Sequence, residues 1–384
     1  MPRPLLKRLV IAATFCVFFS GLVVAVTVSM ALRNRAPETA LALWPLNGEA
    51  RGQLAGRALI AGDVPRSLRL AKGAVRQVPG DAISLRVLGM SEQVAGQTKR
   101  GEQIMRLATT ASRRDLLTNI WFIEHYVALG NVKDAVRYYD YTLKTSAEAE
   151  QLLFPVLTSA MTSPEIASAV KDKLVLRPVW FKSFLQYAFS SGAADEQLVP
   201  LVLDLARDPQ GISLDLQKQY VQRLAERGNL AGLSVLARGL GHPLVRGAAS
   251  LGGMGNLAPV DWRLLSGPGL STYPNDKSGL SFVTVNQNVA IADRLLNLAP
   301  GEYGIRQNVG FEADAAGVGV RWTVTCVSNN LALPVSVRSD ISQFAVPRSG
   351  CEYQKLTLSI VSNDFSEDNE LSGSVSDMRL EPIS

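Results

Sequence analysis

Histidine is nearly missing from this chain of 384 residues: His125 and His242 are the only two, and none follows. A serine or cysteine nucleophile ordinarily needs an imidazole beside it, so the C-terminal third is closed to most triad schemes. Cysteine is as scarce. Cys16, Cys326 and Cys351 are the whole set, and no paired Cys or His spacing suits zinc. There is no G-x-x-x-x-G-K-[ST] stretch to cradle a phosphate, and no glycine fingerprint directly after a strand for a dinucleotide. No cofactor is expected. A carboxylate pair acting on a glycosidic bond escapes these exclusions, because such residues meet only in the fold.

Negative charge is thin in the front of the chain. From residue 260 onward, 9 Lys and Arg face 14 Asp and Glu, a local net of −5; residues 1–259 therefore hold +10 of an overall +5. Half of that excess is Arg3, Lys7, Arg8, Arg33 and Arg35, which flank an apolar segment. Positive charge in that place bears on membrane topology rather than on nucleic acid, and no nucleic-acid partner is expected.

What is present begins with that segment. Leu9 to Leu32 is a run of 24 residues without a charge, long enough as a helix to exceed the roughly 30 Å of a bilayer core. Three basic residues precede it and two follow, which puts the N-terminus in the cytoplasm and the remainder across the membrane. Ser29-Met30-Ala31 also offers small residues where a signal peptidase reads, but the run is longer than a signal core. Either way the remainder is exported. Cys16 is expected to be a small apolar residue within the span.

Beyond it, Gly62, Gly96 and Gly130 stand 34 residues apart. The same interval superposes Ser67, Gly101 and Ala135 as small residues, and Leu54, Leu88 and Phe122 as apolar ones. Ala71, Met105 and Tyr139 coincide too, as do Ala74, Ala108 and Thr142, keeping one face of each second helix in phase. A glycine at each turn between paired helices, where a left-handed backbone is needed, accounts for the interval. Looser turns at Thr162-Ser163-Pro164, Ser191-Gly192 and Arg227-Gly228-Asn229 extend the count to about six helical pairs.

Over residues 48–149 this pattern resembles the tetratricopeptide repeat, with Leu88-Gly89 in the second unit and Pro79 closing the first. Arg51 and Ile123 depart from it, standing where a bulky residue and a glycine are usual. The resemblance implies an all-α solenoid over 36–240 whose first helices line a concave protein-binding face. The matching positions are Arg86, Met90 and Gln93 in unit two and Ile120, Trp121 and Glu124 in unit three. Of these, Arg86, Gln93, Trp121 and Glu124 are the candidate partner contacts; the alternative for the apolar ones is inter-helix packing. His125, beside Glu124, has no second ligand near it in sequence and is not a metal candidate.

After Leu240 the text changes. GHPLVRGAASLGGMGN ends the helical periodicity, and 241–259 reads as a glycine-rich linker. SFVTVNQN, GEYGIRQNV, VGVRWTVTCV, LPVSVRS and CEYQKLTLSIVS follow as short strands between turn residues, which indicates an all-β sandwich over 260–384. Trp322, Val324 and Cys326 alternate with Arg321, Thr323 and Thr325, as on a sheet with one buried face. SGSVSDMRLEPI closes it as a strand with an irregularity between Val375 and Met378. Cys326 and Cys351, in an exported domain, are expected to be bridged. Cys351 is out of phase with Leu356, Leu358 and Ile360, so it must precede the strand or sit at a bulge.

Residues 260–384 look like a jelly roll of the carbohydrate-binding-module type. That resemblance implies sugars stacked on exposed aromatics, with Trp262, Tyr273, Tyr303 and Tyr353 as candidates; burial with a satisfied polar atom is the alternative for each. The acidic stretch Asp364 to Glu370 lacks the spacing and turn glycine of a calcium loop and reads as solvated charge. The layout as a whole resembles anchored repeat proteins of bacterial envelopes. It implies a single-pass inner-membrane protein with a periplasmic bulk, docking a protein and a polysaccharide without catalysis, in exopolysaccharide or cell-wall assembly. A carbohydrate-active enzyme targeted by its repeats is the rival expectation, and a sandwich that merely caps the repeats is a third.

Overall fold

An uncharged run without proline leaves a chain no reason to stop being helical, and α1 occupies Arg3–Leu32 unbroken. Within it Ile11–Leu32, 22 residues, is long and apolar enough to cross a membrane, and it stands clear of the protein except near its C-terminal end, where Ser29 is buried. The computed structural model describes residues 3–252, 254–275, 279–286, 288–312, 317–338, 340–362 and 370–383. Two compact units are resolved, Met1–Leu153 and Phe154–Ser384.

The first unit continues with α2 (Pro37–Leu43), opened by a proline whose missing N–H is no loss in a first turn. Three helical hairpins follow: α3 (Gly48–Ile60) with α4 (Val64–Gln77), α5 (Ala82–Val94) with α6 (Thr98–Ala111), and α7 (Leu116–Ala128) with α8 (Val132–Thr145). Gly62, Gly96 and Gly130 make the three turns with φ of +79°, +85° and +66°, the left-handed region in which a Cβ is unwelcome. The small and apolar positions that share their interval lie inside, except for the half-buried Leu54. Ser67, Ala71, Ala74, Met105, Ala108, Phe122, Ala135, Tyr139 and Thr142 are all buried between the helices.

A second set of residues keeps the same interval. Asn47, Asp81 and Asp115 cap the first helix of each hairpin, accepting from Ala50 N, Ser84 N and Thr118 N at 3.0, 2.9 and 3.0 Å. Asp63 and Asn131 cap the second helices in the same way at 3.0 and 3.1 Å, whereas Gln97 makes no side-chain cap. Each cap satisfies an otherwise orphaned N–H, so both helix starts of the first and third hairpins are fixed chemically as well as by packing.

The helical run goes on through α9 (Glu148–Ala160), inside which the division between units falls, then α10 (Pro164–Leu174). In the second unit α11 (Phe181–Ser191), α12 (Asp195–Ala206), α13 (Leu214–Glu226) and α14 (Leu230–Gly239) complete six successive pairs. Gly192 and Gly228 again turn the chain with φ of +66° and +72°. Phe189 stacks on Tyr220 with ring centroids 4.2 Å apart, binding α11 to α13.

The same unit then becomes antiparallel sheet. The strands are β1 (Ala249–Ser250), β2 (Arg263–Leu264), β3 (Leu270–Asn275), β4 (Gly279–Thr284), β5 (Val289–Leu296) and β6 (Gly301–Phe311). They continue as β7 (Val318–Cys326), β8 (Leu331–Leu333), β9 (Val335–Arg338), β10 (Ile341–Val346), β11 (Gln354–Ser362) and β12 (Leu371–Pro382). One sheet runs β3-β4-β12-β6-β10-β9 with β1 beside β12; the other runs β2-β5-β11-β7-β8. A single apolar core joins Leu280, Phe282, Ile305 and Val375 of the first to Trp322, Val324, Leu356 and Leu358 of the second. The irregularity in β12 is a bulge between Ser376 and Arg379, with Asp377 at φ +50°.

Described residues within 241–259, read from the sequence as a glycine-rich linker, pack against the sheets. β1 pairs with β12 at Ala249↔Leu380, Val245 bridges to Leu296, and Leu251 and Leu257 are buried. The β1 pairing, Val245 and Leu251 hold the segment to the sheets. The acidic stretch 364–370 lies outside the described residues except for Glu370.

Candidate functional site

Cys326 and Cys351 are disulfide-bonded, with Cα atoms 4.9 Å apart. Cys351 achieves this by standing three residues ahead of Gln354, the β11 residue that registers with Cys326. Its loop is held further by Ser328 Oγ donating to Gly350 O at 2.7 Å and Val327 N donating to Tyr353 O at 2.9 Å. From the opposite side, Asn297 Nδ2 donates to Glu352 O at 3.0 Å, and Leu298 N to Gln354 Oε1 at 2.9 Å.

Between these two segments lies a pocket of about 390 Å³, walled by Leu298 to Pro300 and by Pro347 to Glu352, with Arg246 and Arg348 at its rim. Both arginines are exposed, and neither has a carboxylate within ion-pair distance among the described residues. Tyr353 adjoins it, half-buried. Burial pushes its phenol up, as do the charge and hydrogen bonding of Glu352, while Arg246 and Arg238 pull it down. Arg246 thus both lines the pocket with Arg348 and acts on the phenol beside it. Planar cationic donors near a half-buried phenol suit an anionic ligand.

The four aromatic candidates part company here. Trp262 is 3% exposed, its indole N–H donating to Leu251 O and its ring under the Arg294 guanidinium at 5.5 Å. Tyr303 is 5% exposed, stacks on Phe344 at 5.8 Å and donates its hydroxyl to Ala299 O at 2.9 Å. Neither offers a ring face to a sugar, so both expectations are corrected: their polar atoms found main-chain acceptors inside. Tyr303 instead braces Ala299 in the pocket wall. Tyr273 is 49% exposed on β3, at the edge of the seven-stranded sheet, and only Tyr353 stands by the pocket.

In the first unit, three of the four partner-contact candidates are engaged with the chain itself. Arg86 Nε donates to Asp115 Oδ2 at 2.8 Å, so it braces the cap of the next hairpin. Trp121 Nε1 donates to Gln93 Oε1 at 3.2 Å, and its ring stacks on His125 at 4.8 Å. Glu124 is exposed and has no ion pair among the described residues, and the Trp121–Gln93 pair is half-buried.

A second pocket, of about 260 Å³, opens between α13, α14 and the outer face of the five-stranded sheet. Its charges are already matched. Asp293, 2% exposed, takes both Arg263 Nε and Nη2 at 3.0 and 2.6 Å, and Lys355 Nζ at 3.3 Å. Hydrogen bonding to Asp293 holds the Arg263 guanidinium above its usual range. The group reads as a clamp on the sheet rather than as a vacancy for an ion.

Sequence reasoning did not find Arg246, Asn297 or Arg348. They lie about 50 residues apart along the chain, and only the sheet order brings them to one rim. No protein-family model matches this chain, and a search of curated proteins finds no match to it.

Proposed function

We propose that this chain is a non-catalytic, membrane-anchored scaffold, with a tetratricopeptide-like solenoid for a protein partner and a jelly-roll module for an acidic glycan. The observation that carries the glycan reading is the pocket beside the disulfide, where Arg246 and Arg348 stand unpaired among the described residues next to Tyr353. The strand orders β4-β12-β6-β10 and β5-β11-β7-β8 support a jelly roll, since strands from β4 to β7 alternate between sheets as that fold requires. The 34-residue phase of turns and caps supports the repeat reading. Glu124, with the Trp121–Gln93 pair behind it, is the part of the helical face left for a partner.

Export is supported by the apolar helix and by a disulfide, which persists in oxidising compartments. An envelope role, in exopolysaccharide or cell-wall assembly, follows from joining an anchor to a glycan site. The test is calorimetric titration of the detergent-solubilised full chain with uronate-containing and neutral oligosaccharides. The acidic ligands are expected to bind, with affinity falling as salt rises and at least about tenfold weaker in Arg246→Ala/Arg348→Ala, the loss of two charge-assisted contacts. Equal binding of neutral sugars, or no effect of the double substitution, would contradict the assignment. Release of reducing ends during the titration would favour the enzymatic alternative.

A further inference from the structure

The end of α1 does not hang free from the first hairpin. Ser29, fully buried, donates its hydroxyl to Ala40 O at 2.7 Å. Asn47, 1% exposed, donates its side-chain amide to Ser29 O at 3.2 Å and Ser29 Oγ at 2.9 Å while capping α3. Two points on the chain, Ala40 and Asn47, are thus fixed at the level of Ser29.

That level has a meaning if Ile11–Leu32 spans a bilayer, a reading on which this inference rests. At helical rise 22 residues cover about 33 Å, slightly more than the hydrocarbon core, so the ends of the span fall at its boundaries. Ser29 lies about 4.5 Å inside the last residue by the same rise. The corner between the two fixed points, 41–46, must then lie at the membrane boundary. Its composition fits: Leu43 is 40% and Leu46 62% exposed, and Trp44 is half-buried beside them. Amphipathic indoles concentrate at this depth, where an exposed leucine costs nothing. Charges begin just beyond it, in pairs: Arg33 with Glu49 at 2.9 Å and Arg57 with Glu38 at 3.1 Å. Ser29 and Asn47 satisfy one another, as buried polar groups at such a depth must.

We infer that the corner 41–46, with Leu43, Trp44 and Leu46, is seated in the headgroup region of the bilayer and that α1 is a rigid strut fixing the first hairpin against the membrane. The same geometry argues for retention of the segment. Cleavage after Ala31 would remove Ser29 and strip Asn47 of both its acceptors.

The full chain, reconstituted in phosphatidylethanolamine–phosphatidylglycerol vesicles with acyl chains brominated near the headgroup, tests this by tryptophan fluorescence. Part of the emission is expected to be quenched, and that quenched part to be lost in Trp44→Phe. A nitroxide at Leu46→Cys, in a Cys16→Ser background, gives a second reading that does not depend on the indole. It is expected to collide more with dissolved oxygen than with a water-soluble nickel chelate. Unquenched emission, or a label open to the chelate, in protein that resists carbonate extraction overturns the seating alone. Protein that carbonate extracts overturns the span and the seating together.

Discussion

Gly96 holds φ at +85° between α5 and α6, and nothing lies within 4 Å of where its Cβ would stand. The requirement there is purely one of backbone, so Gly96→Ala is expected to cost about 1 kcal/mol and Gly96→Asn less, since asparagine tolerates the left-handed region. Chemical denaturation of both variants measures it; an alanine as stable as the native residue would show the turn to be unconstrained. This position was legible because the left-handed turn leaves a glycine in the text at each repeat. Asn47, Asp81 and Asp115 leave a signal of the same kind, since a cap needs a short side-chain acceptor, yet they are harder to see: Gln97 breaks the companion series. The aromatics were the least legible. Whether Trp262 faces a ligand or the core depends on a carbonyl at Leu251, and nothing in the local pattern of either residue records that meeting.

At the scale of elements, apolar periodicity was a good guide to helix and strand because each element buries one face. It was a poor guide to 241–259, where Leu251 and Leu257 are separated by glycines and no period forms, although each is buried. Ion pairs between elements are similarly hidden. Lys171 on α10 donates to Asp204 on α12 and holds that carboxyl below the usual carboxylate range, with the charge of Arg207 adding to the effect. The unfolded chain binds this proton more readily than the folded one. The contact therefore stabilises above the unfolded carboxylate value of about 4 and is lost as pH falls through and below it. Asp204→Asn is expected to flatten the fall in melting temperature between about pH 5 and pH 3. An unchanged slope in thermal melts would remove this pair from the account of acid stability.

Across the whole molecule, one physical condition ties the parts together. The chain has an apolar helix near its N-terminus and a disulfide inside its β core, and the proposed export puts that core on the oxidising side of a membrane. The proposed glycan site, the proposed protein-binding face and the inferred seating of 41–46 among lipid headgroups all presuppose that side. The most direct measurement is alkylation of the full-length chain in freshly broken native cells by a maleimide of high mass, with and without prior reduction. The account predicts that Cys326 and Cys351 stay unlabelled in denaturant until a reductant is added, after which both react. Labelling of both before reduction would place the β core in a reducing compartment and contradict it.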